Sequence, residues 1–132
     1  MIRLVLILGS LMLTALPALA GSEVIGRYVP GQDNTVVLQI TVQRPAPAAF
    51  IVLQTMDSGL SLIAASPPPM GGNPGGSSVK WLFKRPRPGQ FVVNMQFAQP
   101  VELNQLEGTI RYRHPQDGSL VFSRIGKERL HP

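Results

Sequence analysis

The 132-residue sequence contains no cysteine. That excludes disulfides, thiolate metal sites, a thiol nucleophile and a lipid anchor on a processed N-terminal cysteine. The hydrophobic core must therefore supply the stability. Histidine is nearly as scarce, with only His114 and His131. A metal site needs three or four ligands, which this pair does not furnish. His114 precedes Pro115, with Asp117 three residues on, and is read as stabilising a turn. Asp33, Asp57 and Asp117 also fall at turn positions, where a carboxylate can bond nearby backbone N–H groups. No segment has the period of an amphipathic helix. Nucleophile elbows, two-histidine zinc helices and phosphate-cradling loops are all missing. Gly71-Gly-Asn-Pro-Gly-Gly76 is glycine-rich, but no lysine follows it, so it is read as a flexible loop. No cofactor is implied, and the expectation is a protein that is not an enzyme.

Long apolar runs occur once, at the N-terminus. Arg3 gives a positive start, Leu4 to Leu16 is almost wholly apolar, and Ala18-Leu19-Ala20 sets small residues ahead of Gly21. This is the layout of a signal peptide over residues 1–20. The rival reading is an uncleaved membrane anchor. Leu4 to Ala20 is short of the ~20 residues such a span needs, and Pro17 interrupts it. Cleavage would give a secreted or periplasmic protein without a transmembrane segment. It would leave one domain over 21–126 and a polar tail over 127–132. A domain of this size buries roughly two-thirds of its unfolded-chain surface and folds without staples. Loss of Arg3 takes Lys+Arg from 12 to 11 against 7 acids, a net +4. That favours anionic neighbours such as lipid phosphates or acidic glycans. It is too small and too dispersed for nucleic acid.

The chain is organised around Ser78 to Phe97. Val79, Trp81 and Phe83 alternate with Lys80, Leu82 and Lys84. Phe91, Val93, Met95 and Phe97 alternate with Val92, Asn94 and Gln96. A period of two means half-buried β-strands. Trp81 is the only tryptophan and is expected in the core, although an exposed Trp81 could stack on carbohydrate. Other strands are read at Glu23–Tyr28, at Val36–Val42 and at Ala49–Gln54. Further ones follow at Leu60–Ala65, Leu106–Arg113 and Ser119–Ile125. Phe50 and Val52 share one face of the third strand, with Ile51 and Leu53 on the other, which predicts cover on both sides. Leu106, Ile110 and Tyr112 are expected inward, as are Leu120 and Phe122. Pro30-Gly31 and Gln116-Asp117-Gly118 mark turns, and Ser66 to Ser78, rich in proline and glycine, reads as a long loop.

Seven or eight short strands indicate a β-sandwich, with two antiparallel sheets about 10 Å apart. Trp81, Phe50, Phe91, Phe97 and Phe122 would fill the space between them. Tyr28-Val-Pro-Gly31, the Val36 to Val42 strand and Ala49-Phe-Ile-Val-Leu-Gln54 resemble bacterial and archaeal surface Ig-like modules. Val79-Lys80-Trp81 is similar to the V-x-W strand of those modules, and Arg87-Pro-Gly89 to their Pro-Gly step before a strand. The resemblance runs over about residues 27 to 125 and includes the repeats called domain of unknown function eleven. At Asp57-Ser58 the sequence departs from the Leu-Pro of that family. The resemblance implies an Ig-like fold and a surface role.

Lys84-Arg-Pro-Arg-Pro88 is the strongest binding candidate. Pro86 and Pro88 restrict the loop, so Lys84, Arg85 and Arg87 are displayed at low entropic cost. Arg111 and Arg113 form a second basic stripe on the outer face of their strand. Both arginine sets suit carboxylate or phosphate, and both also serve plain solubility. The expectation is an exported, non-enzymatic Ig-like domain, acting as a structural or protein-interaction module of the bacterial envelope. Its partner would be an envelope or surface protein, or an anionic glycan or lipid surface, and not nucleic acid. One alternative is a carbohydrate- or anion-binding module that uses the 84–88 loop. The other is a small hydrolase whose paired carboxylates only folding would bring together.

Overall fold

The computed structural model describes residues 23–72 and 77–127. The expected signal peptide and the tail beyond Lys127 lie outside them. The strands are β1 (Val24–Pro30), β2 (Thr35–Val42), β3 (Ala49–Met56), β4 (Leu62–Ser66) and β5 (Gly71–Gly72). They continue as β6 (Ser78–Lys84), β7 (Gly89–Phe97), β8 (Leu106–Arg113), β9 (Leu120–Arg124) and β10 (Gly126–Lys127). A 3-10 turn over Leu103–Gln105 leads into β8. The first sheet runs β10-β1-β2-β7-β4 and the second β5-β6-β3-β8-β9. The two pack face to face as an all-β sandwich.

The alternation in the sequence is what drives this layering. Val36, Leu38, Ile40 and Val42 of β2 are buried, as are Val93, Met95 and Phe97 of β7. From the second sheet come Phe50, Val52, Val79, Trp81, Leu106, Ile110 and Tyr112. Trp81 is 1% exposed, and its Nε1 donates to the Pro67 carbonyl at 2.9 Å. An indole is stable inside only when its N–H finds an acceptor. That bond also fixes the proline-rich segment. Met70 N donates to Lys80 O at 2.8 Å, and Gly71–Gly72 ladder onto Lys80 and Val79. Part of the expected long loop is thus an edge strand, and residues 73–76 lie outside the described set.

Tyr28 and Gln54 join the two sheets through the middle of the core. The Tyr28 hydroxyl donates to Gln54 Oε1 at 2.8 Å, and both residues are wholly buried. Gly108 makes room for this pair: a Cβ there would run into Tyr28 Oη and would lie 2.6 Å from Ile125 Cδ1. Burial pushes the Tyr28 hydroxyl well above its ordinary pKa, and the Glu107 charge adds to the effect.

Several local expectations are corrected. The left-handed residue of the β1–β2 turn is Asp33, with φ 55°, while Pro30 belongs to β1. Lys127, read as the start of a polar tail, joins Gly126 in β10, which pairs in parallel with β1. Ile125 is buried at this crossing between the sheets and seals one side of the sandwich. In the β8–β9 hairpin, Asp117 Oδ1 accepts from Ser119 N at 2.8 Å and His114 Nδ1 from Gln116 N at 3.2 Å. Both side chains hold the turn, as expected for them.

The phase of β9 is the largest correction. Phe122 is 62% exposed and Leu120 47%, while Val121 and Ser123 pair with Tyr112 and Ile110 on the inner side. Arg124 shares the phase of Leu120 and Phe122, and Ile125 shares that of Val121 and Ser123. Burying Phe122 would have buried Arg124 as well, and an unpaired internal charge costs far more than an exposed ring. Phe122 is therefore absent from the core. Tyr28 and Ile125, not expected among the core-filling side chains, are buried in it.

Candidate functional site

The outer face of the second sheet carries most of the sequence's candidate residues. Ile51 lies opposite Leu82 on β6 and opposite Arg111 on β8, and Arg111 lies opposite Phe122 on β9. The next row reads Lys80, Leu53, Thr109 and Arg124. At the end of the sheet, Lys84 is opposite Ala49, and Arg113 is opposite Leu120. Ala49, Ile51, Leu82, Arg111, Arg113 and Leu120 line one shallow depression. Side chains opposite one another on adjacent strands are close enough to act together. An apolar strip along β3 and β6 is thus flanked by cations on both sides.

This face overturns the expectation for β3. No second layer of protein covers Ile51 and Leu53, and both are only half-buried. The strand is apolar on both faces, but only its inner face meets the core. A half-buried apolar strip on an open sheet face is the kind of surface that meets a partner.

The two basic sets converge only in part. β6 and β7 belong to different sheets, so the 85–88 segment is a crossover between layers and not a hairpin. Lys84 and Arg113 stand at the same end of the second sheet, on its outer face. Arg85 and Arg87 lie beyond that end, both exposed. The crossover is held firmly. Phe83 and Phe91, just before and just after it, have ring centroids 5.3 Å apart, and Phe83 stacks on Phe50 at 4.8 Å. Arg85 N donates to Ala48 O at 2.7 Å, and Arg85 sits at φ 48°, a left-handed conformation uncommon for an arginine. Arg113 is partly committed, since Nη1 donates to the Gly118 carbonyl at 3.1 Å. Its remaining guanidinium donors are available.

Three residues of this face were not among the sequence candidates: Lys80, Arg124 and Phe122. The signal that would have found Phe122 was the charge in its own phase, Arg124. Carboxylates are sparse here. Glu107 is the one carboxylate on the described strands of this face, and it is paired with Lys127 Nζ at 3.0 Å. That hydrogen bond and the Lys127 charge hold the Glu107 carboxyl below its ordinary value. Ser119 holds Asp117 low in the same way, by hydrogen bonding, and that carboxylate is used in its own turn.

The other outer face is different in character. Arg27 is the only cation on the outward positions of β1, β2 and β7, and it donates to Gln39 Oε1 at 3.1 Å. Its neighbours are amides, threonines, valines and the exposed Ile25. Among the described residues, no group of three histidine, aspartate or glutamate side chains is placed to hold a metal ion. No helix among them is long and apolar enough to cross a membrane. Comparison with protein-family models, with curated proteins and with solved structures finds no match for this chain.

Proposed function

We propose that this chain is an exported, non-enzymatic Ig-like domain that serves as an interaction module of the bacterial envelope. Its working surface in this reading is the outer face of the second sheet. The observation that carries the proposal is the segregation of charge. Lys80, Lys84, Arg111, Arg113 and Arg124 surround an open apolar strip, and the one carboxylate on that face is already paired. Plain solubility would not require the cations to gather on one face, nor apolar side chains to stand among them. Export rests on the leader sequence, and it predicts a mature N-terminus at Gly21. Intact mass of the protein isolated from its host tests that directly, since a mass that includes residues 1–20 would remove cleavage and leave the anchored reading. The Ig-like assignment rests on the resemblance of the strand motifs and on the two-sheet architecture.

The decisive experiment compares the two outer faces. Arg111→Glu/Arg113→Glu and the control Arg27→Glu would each be expressed in the host, and envelope fractions assayed for the protein. Loss of envelope association is expected for the first variant and not for the second. Equal behaviour of the two would end the proposal.

A second reading, anion binding by the 84–88 crossover, is favoured by the rigid way that segment is held. Trp81 is buried and offers this reading no aromatic platform. Replacing Lys84, Arg85 and Arg87 together by Ser separates it from the first reading. If envelope association is lost here and kept in the Arg111/Arg113 variant, the crossover is the site.

A further inference from the structure

From the layout of the second sheet's outer face, and resting on the interaction role proposed above, we infer that its partner is the surface of an anionic phospholipid bilayer. The cations meet lipid phosphates, and Phe122 and Leu120 enter the boundary with the acyl chains.

Charge selects the partner first. Five cations and one paired carboxylate on these strands require a surface that is negative over a comparable area. A second copy of this chain would set cation against cation, so self-association through this face is disfavoured. The cations are spread over β6, β8 and β9, three strand spacings from side to side, or ~14 Å. That is a broad array and not a focus, as an extended sheet of phosphates would need.

The apolar residues select the partner next. Phe122 and Leu120 stand exposed on β9, the last strand of its sheet, directly opposite Arg111 and Arg113. A bilayer interface offers this succession, with charge at the headgroups and hydrocarbon immediately behind. Arginine suits it well, since its aliphatic stem can follow the ring inward while the guanidinium stays with the phosphates. An acidic peptide would supply the charge but no apolar layer of matching breadth. On the face itself, the half-buried Leu82, Ile51 and Leu53 form an apolar strip between the cations of β6 and those of β8.

The test is vesicle co-sedimentation with protein isolated from the host in whatever form its intact mass defines. One set of vesicles is phosphatidylcholine alone, and the other contains phosphatidylglycerol. Binding to the second set only is expected, and it should weaken from 0.1 M to 1 M salt as the screening length falls from about 10 Å to 3 Å. Each cation near such a surface is worth about fivefold in partition, so Arg111→Glu/Arg113→Glu should lose at least about 25-fold. Arg27→Glu, on the opposite face, should lose much less. Phe122→Trp should show a blue-shifted emission component on phosphatidylglycerol vesicles, and Phe122→Ser should bind more weakly. Melting curves of each variant guard against misfolding. Equal binding to neutral and anionic vesicles would overturn the inference. So would an unshifted tryptophan at position 122 in the bound protein, or a loss by Arg27→Glu as large as that of the double variant. If the double variant leaves the envelope in cells but wild type ignores anionic vesicles, the interaction face stands and the bilayer is the wrong partner.

Discussion

Removing the hydroxyl of Tyr28 should cost more than the small atom count suggests. In Tyr28→Phe, Gln54 Oε1 loses its donor inside a core where Gln54 is 0% exposed. An unsatisfied buried acceptor costs ~1–3 kcal/mol. Gln54 Nε2 already has no partner among the described residues, so the whole amide would then be unpaired. Gln54→Leu has two opposing effects: it leaves the Tyr28 hydroxyl alone but removes that second polar atom. A loss of ~1 kcal/mol is expected, at the low end of the same range. The double variant Tyr28→Phe/Gln54→Leu removes both partners together and should lie within about 1 kcal/mol of wild type, as paired apolar replacements do. With the double variant near wild type, the coupling between the two sites is ~2–4 kcal/mol, well beyond the scatter of independent sites. Urea unfolding followed by the fluorescence of Trp81, the sole tryptophan, measures all four proteins. The same pair sets the alkaline limit. Burial raises the Tyr28 pKa above its unfolded value near 10, so the stabilisation is complete below about pH 10. Above it the unfolded chain releases a proton that the native state keeps, and stability falls by ~1.4 kcal/mol per pH unit for this one group. Tyr28→Phe should flatten that limb without abolishing it, because burial also raises Tyr112. Additive losses in the cycle, or an unchanged alkaline limb in Tyr28→Phe, would refute the account.

Three further outcomes follow from the packing and the charges. Trp81→Ala should lose ~3–5 kcal/mol, the range for a large buried aromatic, and a loss below about 1 kcal/mol in urea would place Trp81 at the surface after all. Gly108→Ala should cost ~1–3 kcal/mol through overpacking against Tyr28 Oη and Ile125, and Tyr28→Phe should relieve part of that loss. Thermal melts of the single and double variants check this, and no relief would mean that Ile125 alone sets the clash. The Glu107–Lys127 pair should make a small contribution that is present above the unfolded carboxyl pKa near 4.3 and lost as pH falls through the lower native value. In Lys127→Met, the Glu107 carboxyl should titrate at higher pH by NMR, and its part of the acid limb should disappear.

Much of the inner architecture could be read from the order of residues. The period of two in β2, β6, β7 and β8 gave both the strands and their buried faces, because each such strand is wet on one side and dry on the other. Trp81 was legible as core for the same reason. The turn at Asp117 was legible from local side-chain chemistry, which needs no distant partner. Partner choice between strands was not legible. Ser78 to Phe97 reads as two neighbouring strands, yet β6 and β7 end in opposite layers, since which sheet a strand joins depends on its distant partners β3 and β2. The Tyr28–Gln54 bond spans 26 residues and had no local signature. Only the packing of the C-terminal segment decided the phase of β9. With Ile125 closing the side of the sandwich and Arg124 obliged to face water, Phe122 had to turn outward beside Arg111. Composition alone set the charge of this protein. Its tertiary structure gathered that charge on one face, because strands remote in sequence present their outer side chains together only after they pair.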